Sequence, residues 1–210
     1  MLKSKRLLLM LNRATKVLLV LIMLALWGIA LRPLFNLYPV QAQSPANQGV
    51  KDNEELKRLS DEDQSDRTPP EGKSIDWATV SPRDKARLKR VKQLYTQNLL
   101  HTADDYDRAA IVLQHGEVPE DFLLAHEFWV VAISKGKNDK DTLSMAAASE
   151  DRFLMNIGRP QRFGTQLRSE GNGPIQLYLV DPGVSDELRR LMIGHSLAEI
   201  KTRVVEMNKK

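Results

Sequence analysis

The chain has 210 residues, no cysteine, and 31 Lys and Arg against 27 Asp and Glu, a formal charge of +4. Residues 1–42 hold six of the basic residues and no acidic one, so the remainder carries 25 basic against 27 acidic residues. The basicity belongs to the N-terminal segment. Because no basic stripe interleaved with aromatic residues follows, we expect no nucleic-acid partner. Without cysteine, the chain has no disulfides and no thiol nucleophile.

The N-terminal segment, residues 1–42, has the order of an export signal. Residues 17–31 form an uncharged apolar run, VLLVLIMLALWGIAL, behind five basic residues. Val40 and Ala42 then match the −3 and −1 positions of a signal-peptidase site. The excess of Lys and Arg before the run keeps the N-terminus inside the cell, so the rest of the chain is expected to be exported.

The sequence leaves open whether this segment is cleaved or retained. The uncharged run has 15 residues, whereas a bilayer span needs about 20. Yet Lys16 and Arg32 flank the run and can snorkel to the two interfaces, and Arg32 interrupts the usual path from the apolar core to the cleavage site. We therefore predict a signal peptide or an N-terminal membrane anchor. The exported part is expected to be periplasmic or secreted. If the segment is not cleaved, residues 17–31 anchor the exported part to the inner membrane.

Residues 43–74 are polar and contain no aromatic side chain. Leu56 and Leu59 are among only four apolar residues in this stretch. So little apolar surface cannot offset the entropy of ordering the chain. The composition predicts a disordered linker, with a short helix around residues 53–59 as the alternative, and a folded domain over residues 75–210.

Helix start and stop signals are clear in the predicted domain. Four helices have an N-cap residue or a proline at the first position, and the last three stop at a glycine. The predicted helices run from Ser81 to Leu100, from Thr102 to Gly116, from Pro119 to Gly136, and from Asn138 or Asp139 to Gly158. Helices of this length joined by short loops form antiparallel hairpins, as in helical repeats.

The pattern changes after Gly158. Residues 159–174 are rich in Gly, Arg and Gln, and residues 175–180 alternate enough to form one strand. Two short helices follow, one from Ser185 to Met192 and one that begins with the capping box of Ser196 and Glu199 and ends near Glu206. The predicted fold class is mainly α, with antiparallel helical hairpins and a small irregular or β insert after the fourth helix.

Two histidines are candidate site residues. His126 lies on the predicted apolar stripe of the third helix with Phe122, Trp129 and Ile133. It is interpreted either as a core histidine paired with a carboxylate or as a general base or ligand. His115 lies at the end of the second helix, where the helix dipole favours a positive imidazole, so it is either a capping residue or a ligand-binding residue.

The densest polar stretch combines Asp151 and Arg152 with the segment GRPQRFGTQ, residues 158–166. Asp151 falls on or beside the inner face of the fourth helix and therefore needs a partner. The loop offers fixed donors for an anionic or sugar-like ligand. The same donors can instead tie an irregular loop onto the helices. The candidate ligand-binding residues are His115, Arg152, Gln161, Arg162, Thr165 and Gln166, with Asp151 and His126 as candidate catalytic residues.

These residues carry a resemblance. The order His115-Gly116, Asp151-Arg152 and G-R-P-Q-R-F-G-T-Q resembles an uncharacterised bacterial domain family with an H, a D-R pair and a G-x-P-Q-x-F/Y-G-T-Q core. The match covers about residues 104–205. The resemblance implies a helical, hairpin-based fold and a shared polar site, but no activity.

Two functional hypotheses from different classes follow. The chain lacks H-E-x-x-H, a phosphate-binding glycine loop and G-x-S-x-G, and its paired acids lie at helix starts, so we expect no metal and no cofactor. The first hypothesis is a binding module of the cell envelope with a protein or another envelope component as its partner. The alternative is an exported hydrolase with Asp151 or His126 as the base, which requires an open pocket where the polar residues converge.

Overall fold

The computed structural model describes residues 49–171 and 173–209. In that part of the chain, seven helices and one two-stranded sheet follow each other. They are α1 (Glu54–Asp66), α2 (Trp77–Thr96), α3 (Ala103–Leu113), α4 (Pro119–Ser134), α5 (Lys140–Asn156), β1 (Leu167–Arg168), β2 (Gln176–Leu177), α6 (Asp186–Ile193) and α7 (Leu197–Met207). The predicted fold class, mainly α with helical hairpins and a small insert after the predicted fourth helix, is confirmed.

The core lies where α3, α4 and α5 pack on one another. Trp129 is fully buried, and its indole Nε1 donates to Asp107 Oδ1 at 3.0 Å. Ala109, Ala125 and Ala146 are buried around it and allow the helix axes to approach closely. Burying one large apolar side chain contributes about 1.5–3 kcal/mol, so the buried residues of these helices stabilise the fold substantially.

Helix α1 corrects the prediction of a disordered linker, which is wrong for residues 54–66. Asn53 caps the helix, since its side chain accepts from the backbone N–H of Glu55 and of Leu56. Leu56 is 0% and Leu59 is 5% exposed, and both belong to the core cluster. Few apolar residues suffice here because they are spaced for one helix face and the core is supplied by other helices. The folded part therefore starts well before residue 75.

Helix α2 begins earlier than predicted. Asp76 is its N-cap and accepts from Ala78 N at 3.2 Å and from Thr79 Oγ1 at 2.7 Å. Pro82 lies inside the helix rather than at its first position, and the helix ends at Thr96, not at Leu100. An aspartate cap with two acceptor oxygens wins over the Ser–Pro pair five residues later.

The other predicted helix starts are correct. Thr102 and Asp105 form a reciprocal capping box, as do Ser196 and Glu199, while Asp139 and Ser185 cap α5 and α6. Three predicted ends lie two or three residues too far, since α3, α4 and α5 stop before their glycines. The helix starts are specific because side-chain caps fix them, whereas the last turns fray toward 3₁₀ geometry.

The insert after α5 is small. Strands β1 and β2 are antiparallel, with Leu167 opposite Leu177, and Gln161 forms an isolated parallel bridge with Val180. The predicted strand over residues 175–180 is thus only partly regular.

Within residues 49–171 and 173–209, no helix has both the length and the hydropathy of a membrane span. The predicted signal or anchor, residues 1–42, lies outside the described residues.

Candidate functional site

The polar segment predicted as a site is organised around one buried carboxylate. Asp151, on α5, is 0% exposed. Its Oδ1 accepts from the backbone N–H of Arg162 at 2.6 Å and of Phe163 at 3.0 Å. Its Oδ2 accepts from Gly164 N at 2.9 Å, Thr165 N at 3.0 Å and Thr165 Oγ1 at 2.8 Å. Five donors therefore hold one carboxylate, without any cation within salt-bridge distance among the described residues.

Two glutamines close the same loop. Gln161 is 0% exposed; its Nε2 donates to the carbonyls of Gln166 and Tyr178, both at 3.0 Å, and its Oε1 accepts from Gln166 N at 2.8 Å. The Gln166 side chain donates to Ala148 O at 3.2 Å and to Thr165 Oγ1 at 2.9 Å. Gly164 adopts φ +89° at the turn. The hydrogen bonds of residues 161–166 are thus made within the protein. We call this segment the clasp, because it holds α5 and the insert together rigidly.

Arg152 follows Asp151 but faces a different surrounding. Its Nη1 donates to Gln114 O at 2.6 Å and its Nε to Gln166 Oε1 at 3.3 Å, and its guanidinium lies over the Phe122 ring at 5.5 Å. Burial lowers the pKa of this guanidinium below its ordinary value. Arg152 thus connects α5 with the end of α3 through the Gln114 carbonyl.

The structure brings some predicted site residues together and separates others. Asp151, Arg152, Gln161, Thr165 and Gln166 meet in one hydrogen-bonded network. Arg162 contributes its backbone N–H to that network, while its side chain pairs with Glu150 at 3.1 Å.

His126 lies apart from Asp151 in its contacts. Its Nδ1 hydrogen-bonds with Ala146 O at 2.9 Å, so a backbone carbonyl, not the predicted carboxylate, pairs with this histidine. The buried side of α4 runs through Phe122, Ala125 and Trp129, and His126 lies at its half-buried edge. The arrangement gives His126 a packing role between α4 and α5.

His115 belongs to a second polar cluster, between α1, α2 and the end of α3. Asp63 is 0% exposed and accepts from Arg67 Nη1 at 3.0 Å and from His115 Nδ1 at 3.0 Å. Arg87 Nε lies 3.9 Å from the same carboxylate. Both arginines also bind Asp84, each at 2.7 Å. This carboxylate is compensated by positive side chains.

Further charges extend the second cluster toward solvent. Burial raises the pKa of Asp66, but hydrogen bonds from Arg87 and Arg83 outweigh burial, so the pKa lies below its usual value. For Arg87, burial likewise opposes the charge, and its hydrogen bonds to Asp84 and Asp66 raise the pKa overall.

Gly116 keeps the end of α3 close to α4, because a Cβ there would overlap the Asp121 side chain.

A pocket of about 260 Å³ opens beside His115. Its lining combines Arg67, which follows α1, with several residues of α2 and with His115 and Glu117 after α3; the residues of α2 are Trp77, Ser81, Asp84, Lys85 and Leu88. Trp77 is 56% exposed although it is the first residue of α2. The sequence analysis missed Asp63 and Trp77, because Asp63 lies within the predicted linker and Trp77 lies just after it. The spacing of Leu56, Leu59 and Asp63 at three and four residues was the helical signal that could have found the first.

An apolar groove of about 380 Å³ lies between α5, the clasp and α7. Side chains from all three regions form its walls. They are chiefly Met145, Leu167, Ile193, Ile200, Val204 and Met207. Leu167 is 37% and Met207 is 46% exposed. Arg203 and His195 also line the groove, with Arg203 Nη1 and His195 Nε2 2.9 Å apart.

Comparison of the chain with protein-family models, with curated proteins and with solved structures finds no match. The resemblance of the H…D-R…GRPQRFGTQ pattern to an uncharacterised bacterial domain family therefore stays a prediction.

Proposed function

We propose that the protein is a binding module of the cell envelope, exported or anchored through its N-terminal segment, and that it binds a partner in the apolar groove between α5, the clasp and α7. The observation that carries this proposal is the groove itself: apolar side chains stay exposed beside a loop held rigid by the Asp151 carboxylate. A rigid wall lowers the entropy lost on binding, which favours recognition.

The lining indicates the chemistry of the partner. Met145 and Met207 contribute flexible, polarisable side chains suited to an apolar peptide segment. Arg203 has no carboxylate within 4.0 Å among the described residues, and residues 159–210 carry nine Lys and Arg against six Asp and Glu. A protein segment with apolar side chains and one acidic group matches the apolar lining and the positive charge of this surface.

The hydrolase alternative has less support. It requires an open pocket in which Asp151 and the loop side chains converge on a substrate. Asp151 is instead fully buried, with both oxygens occupied by donors of the clasp, and His126 is bonded to a backbone carbonyl. A general base has to reach the proton that it removes, and the Asp151 carboxylate is already saturated.

Location is tested on the full chain with a C-terminal tag, expressed in cells that are then converted to spheroplasts. Protease added outside should degrade the tagged domain, and mass spectrometry of the N-terminus separates cleavage after Ala42 from retention. Protection of the domain in intact spheroplasts, with degradation only after lysis, would contradict export.

Binding is tested by placing a photo-crosslinking amino acid at Val204, in the groove, and at Thr202, an exposed residue elsewhere on α7. A partner band at position 204 that is absent at 202, and that disappears when Arg203→Glu is added, is the expected result. Equal bands at both positions, or no dependence on Arg203, would contradict the assignment of the groove.

A further inference from the structure

The pocket beside His115 contains an oriented imidazole. Asp63 is fully buried and accepts from His115 Nδ1 at 3.0 Å. Since an ionised carboxylate can only accept, the imidazole carries a proton on Nδ1. In the neutral ring, Nε2 is then the acceptor, and within the described residues no hydrogen bond occupies it. The same carboxylate–histidine pairing fixes the tautomer of histidines that act on ligands.

The charges around this imidazole are paired with one another. Arg67 binds Asp84 at 2.7 Å, and Lys85 binds Glu117 at 3.1 Å. Each cation thus has an anion beside it, so the pocket offers hydrogen-bonding groups without a strong net charge. Such a lining favours a neutral polar ligand over an anion or a cation.

An aromatic face completes the pocket. Trp77 lines it with 56% of its surface exposed, whereas Trp129 is fully buried. An exposed indole presents a large apolar face and loses little conformational entropy on contact. The pocket volume of about 260 Å³ is below the range of about 300–1,000 Å³ typical of drug-sized ligands, so one ring fits.

We propose that this pocket binds a small neutral hydroxylated ring, that is, a sugar unit. A ligand hydroxyl donates to His115 Nε2, and a C–H face of the ring stacks on Trp77. Asp63 is the positioning residue that holds the imidazole. This site is separate in its residues from the apolar groove and goes beyond the proposed function.

The test uses the full chain in detergent and three probes: glucose, galactose and N-acetylglucosamine. Saturation-transfer difference NMR at about 10 mM sugar detects weak contacts of this kind. We expect signals for at least one of the three sugars. The dissociation constant, obtained by titrating the sugar, should rise about tenfold in Trp77→Ala, equivalent to about 1.4 kcal/mol. Tyr95→Ala removes another exposed aromatic residue of α2 and should leave the signals unchanged.

A second measurement separates binding from folding. In protein labelled with ¹⁵N-histidine, sugar should shift the Nε2 resonance of His115 and leave that of His126 unchanged. Val204→Asp, in the groove, should not affect either readout, so failure of the groove proposal and failure of this one are distinguishable. The proposal would be overturned if none of the three sugars gave a signal, or if the dissociation constant were unchanged in Trp77→Ala.

Discussion

Asp63 and Asp151 are both 0% exposed, yet the protein compensates their charges in opposite ways. Asp151 receives four backbone N–H groups and one hydroxyl, all from residues 162–165. Asp63 receives side chains from α1 and from the end of α3, including Arg67 and His115. Amide donors fix the path of a loop, whereas the side chains around Asp63 connect elements that are distant in sequence, through His115 to Asp63 and through Arg67 to Asp84.

This difference decides which of the two clusters is accessible to a ligand. The Asp151 cluster is closed, because four backbone N–H groups and the Thr165 hydroxyl already occupy both carboxylate oxygens. The Asp63 cluster is open on one side, since His115 is half-buried and lines a pocket with Trp77. The candidate catalytic carboxylate of the sequence, Asp151, is enclosed by donors of its own loop, whereas the carboxylate beside the pocket, Asp63, lies in a stretch that was predicted to be disordered.

The largest effect is expected when the Asp151 charge is removed. Asp151→Asn keeps one acceptor oxygen but places an NH₂ group against N–H donors, so the free energy of unfolding should fall by about 4 kcal/mol. Urea unfolding by circular dichroism measures it. Glu150→Gln, its neighbour on α5, alters only the partly exposed pair with Arg162 and should change stability by less than about 1 kcal/mol. Equal effects of the two variants would refute the structural role of Asp151.

The next effect tests whether α1 belongs to the core or is held by charges alone. Leu56→Ala leaves a cavity at a fully buried position and should destabilise the protein by about 3 kcal/mol. Val50→Ala, at a residue 49% exposed, should have almost no effect. Hydrogen exchange of the α1 amides provides a second readout. A linker that is disordered in solution would show no difference between the two variants.

A smaller loss is expected for the charge-compensated carboxylate. Asp63→Asn removes the negative charge beside Arg67 and the acceptor of the His115 imidazole, but Arg67 keeps Asp84 as its partner and both side chains are partly exposed. We expect a loss of about 2 kcal/mol in the free energy of unfolding. Asp61→Asn, on the exposed side of α1, is the control and should be near neutral. If Asp63→Asn destabilises more than Asp151→Asn, the contrast between the two clusters is wrong.

The smallest effect concerns a more exposed ion pair and its pH dependence. A hydrogen bond from Lys137, at 2.6 Å, lowers the pKa of Asp104 below its ordinary value. A depressed folded-state pKa contributes stability that is present above the unfolded pKa and is lost as pH falls through the folded one, here below about pH 4. Because Asp104 is partly exposed, the contribution is about 0.5 kcal/mol.

Lys137→Met should therefore flatten the acid limb of stability against pH, measured by urea unfolding between about pH 2 and 6. Lys135→Met, two residues earlier, removes a cation that lies over the Tyr106 ring instead and should leave the acid limb unchanged. An acid limb of unchanged slope in Lys137→Met would show that the pair does not contribute.

The sequence predicts features whose partners are near in the chain. The capping boxes of Thr102 with Asp105 and Ser196 with Glu199 span three residues, so a short window contains the whole hydrogen-bonding unit. The grouping of Asp151 with Gln161, Thr165 and Gln166 was also predicted, because these residues lie within one helix end and its loop. The sequence did not predict that this cluster is closed, since the same donors can bind either a ligand or a carboxylate of the protein.

The features that were missed depend on distant partners. Asp63 meets His115 across 52 residues, and Arg67 meets Asp84 across 17. Helix α1 has too few apolar residues to fold by itself, and only packing against the core makes it stable. The pocket beside His115 likewise combines residues from the end of α1, from α2 and from the segment after α3.

The sequence by itself determined the helical class, the starts of α3, α5, α6 and α7, the irregular insert, and the expectation of export, because each depends on local caps, turns or a continuous apolar run. The tertiary structure alone decided that α1 belongs to the folded unit, which carboxylate is enclosed by amides and which by cations, and where a pocket and a groove stay open. Burial is a property of surfaces brought together from distant parts of the chain, and no local pattern specifies it.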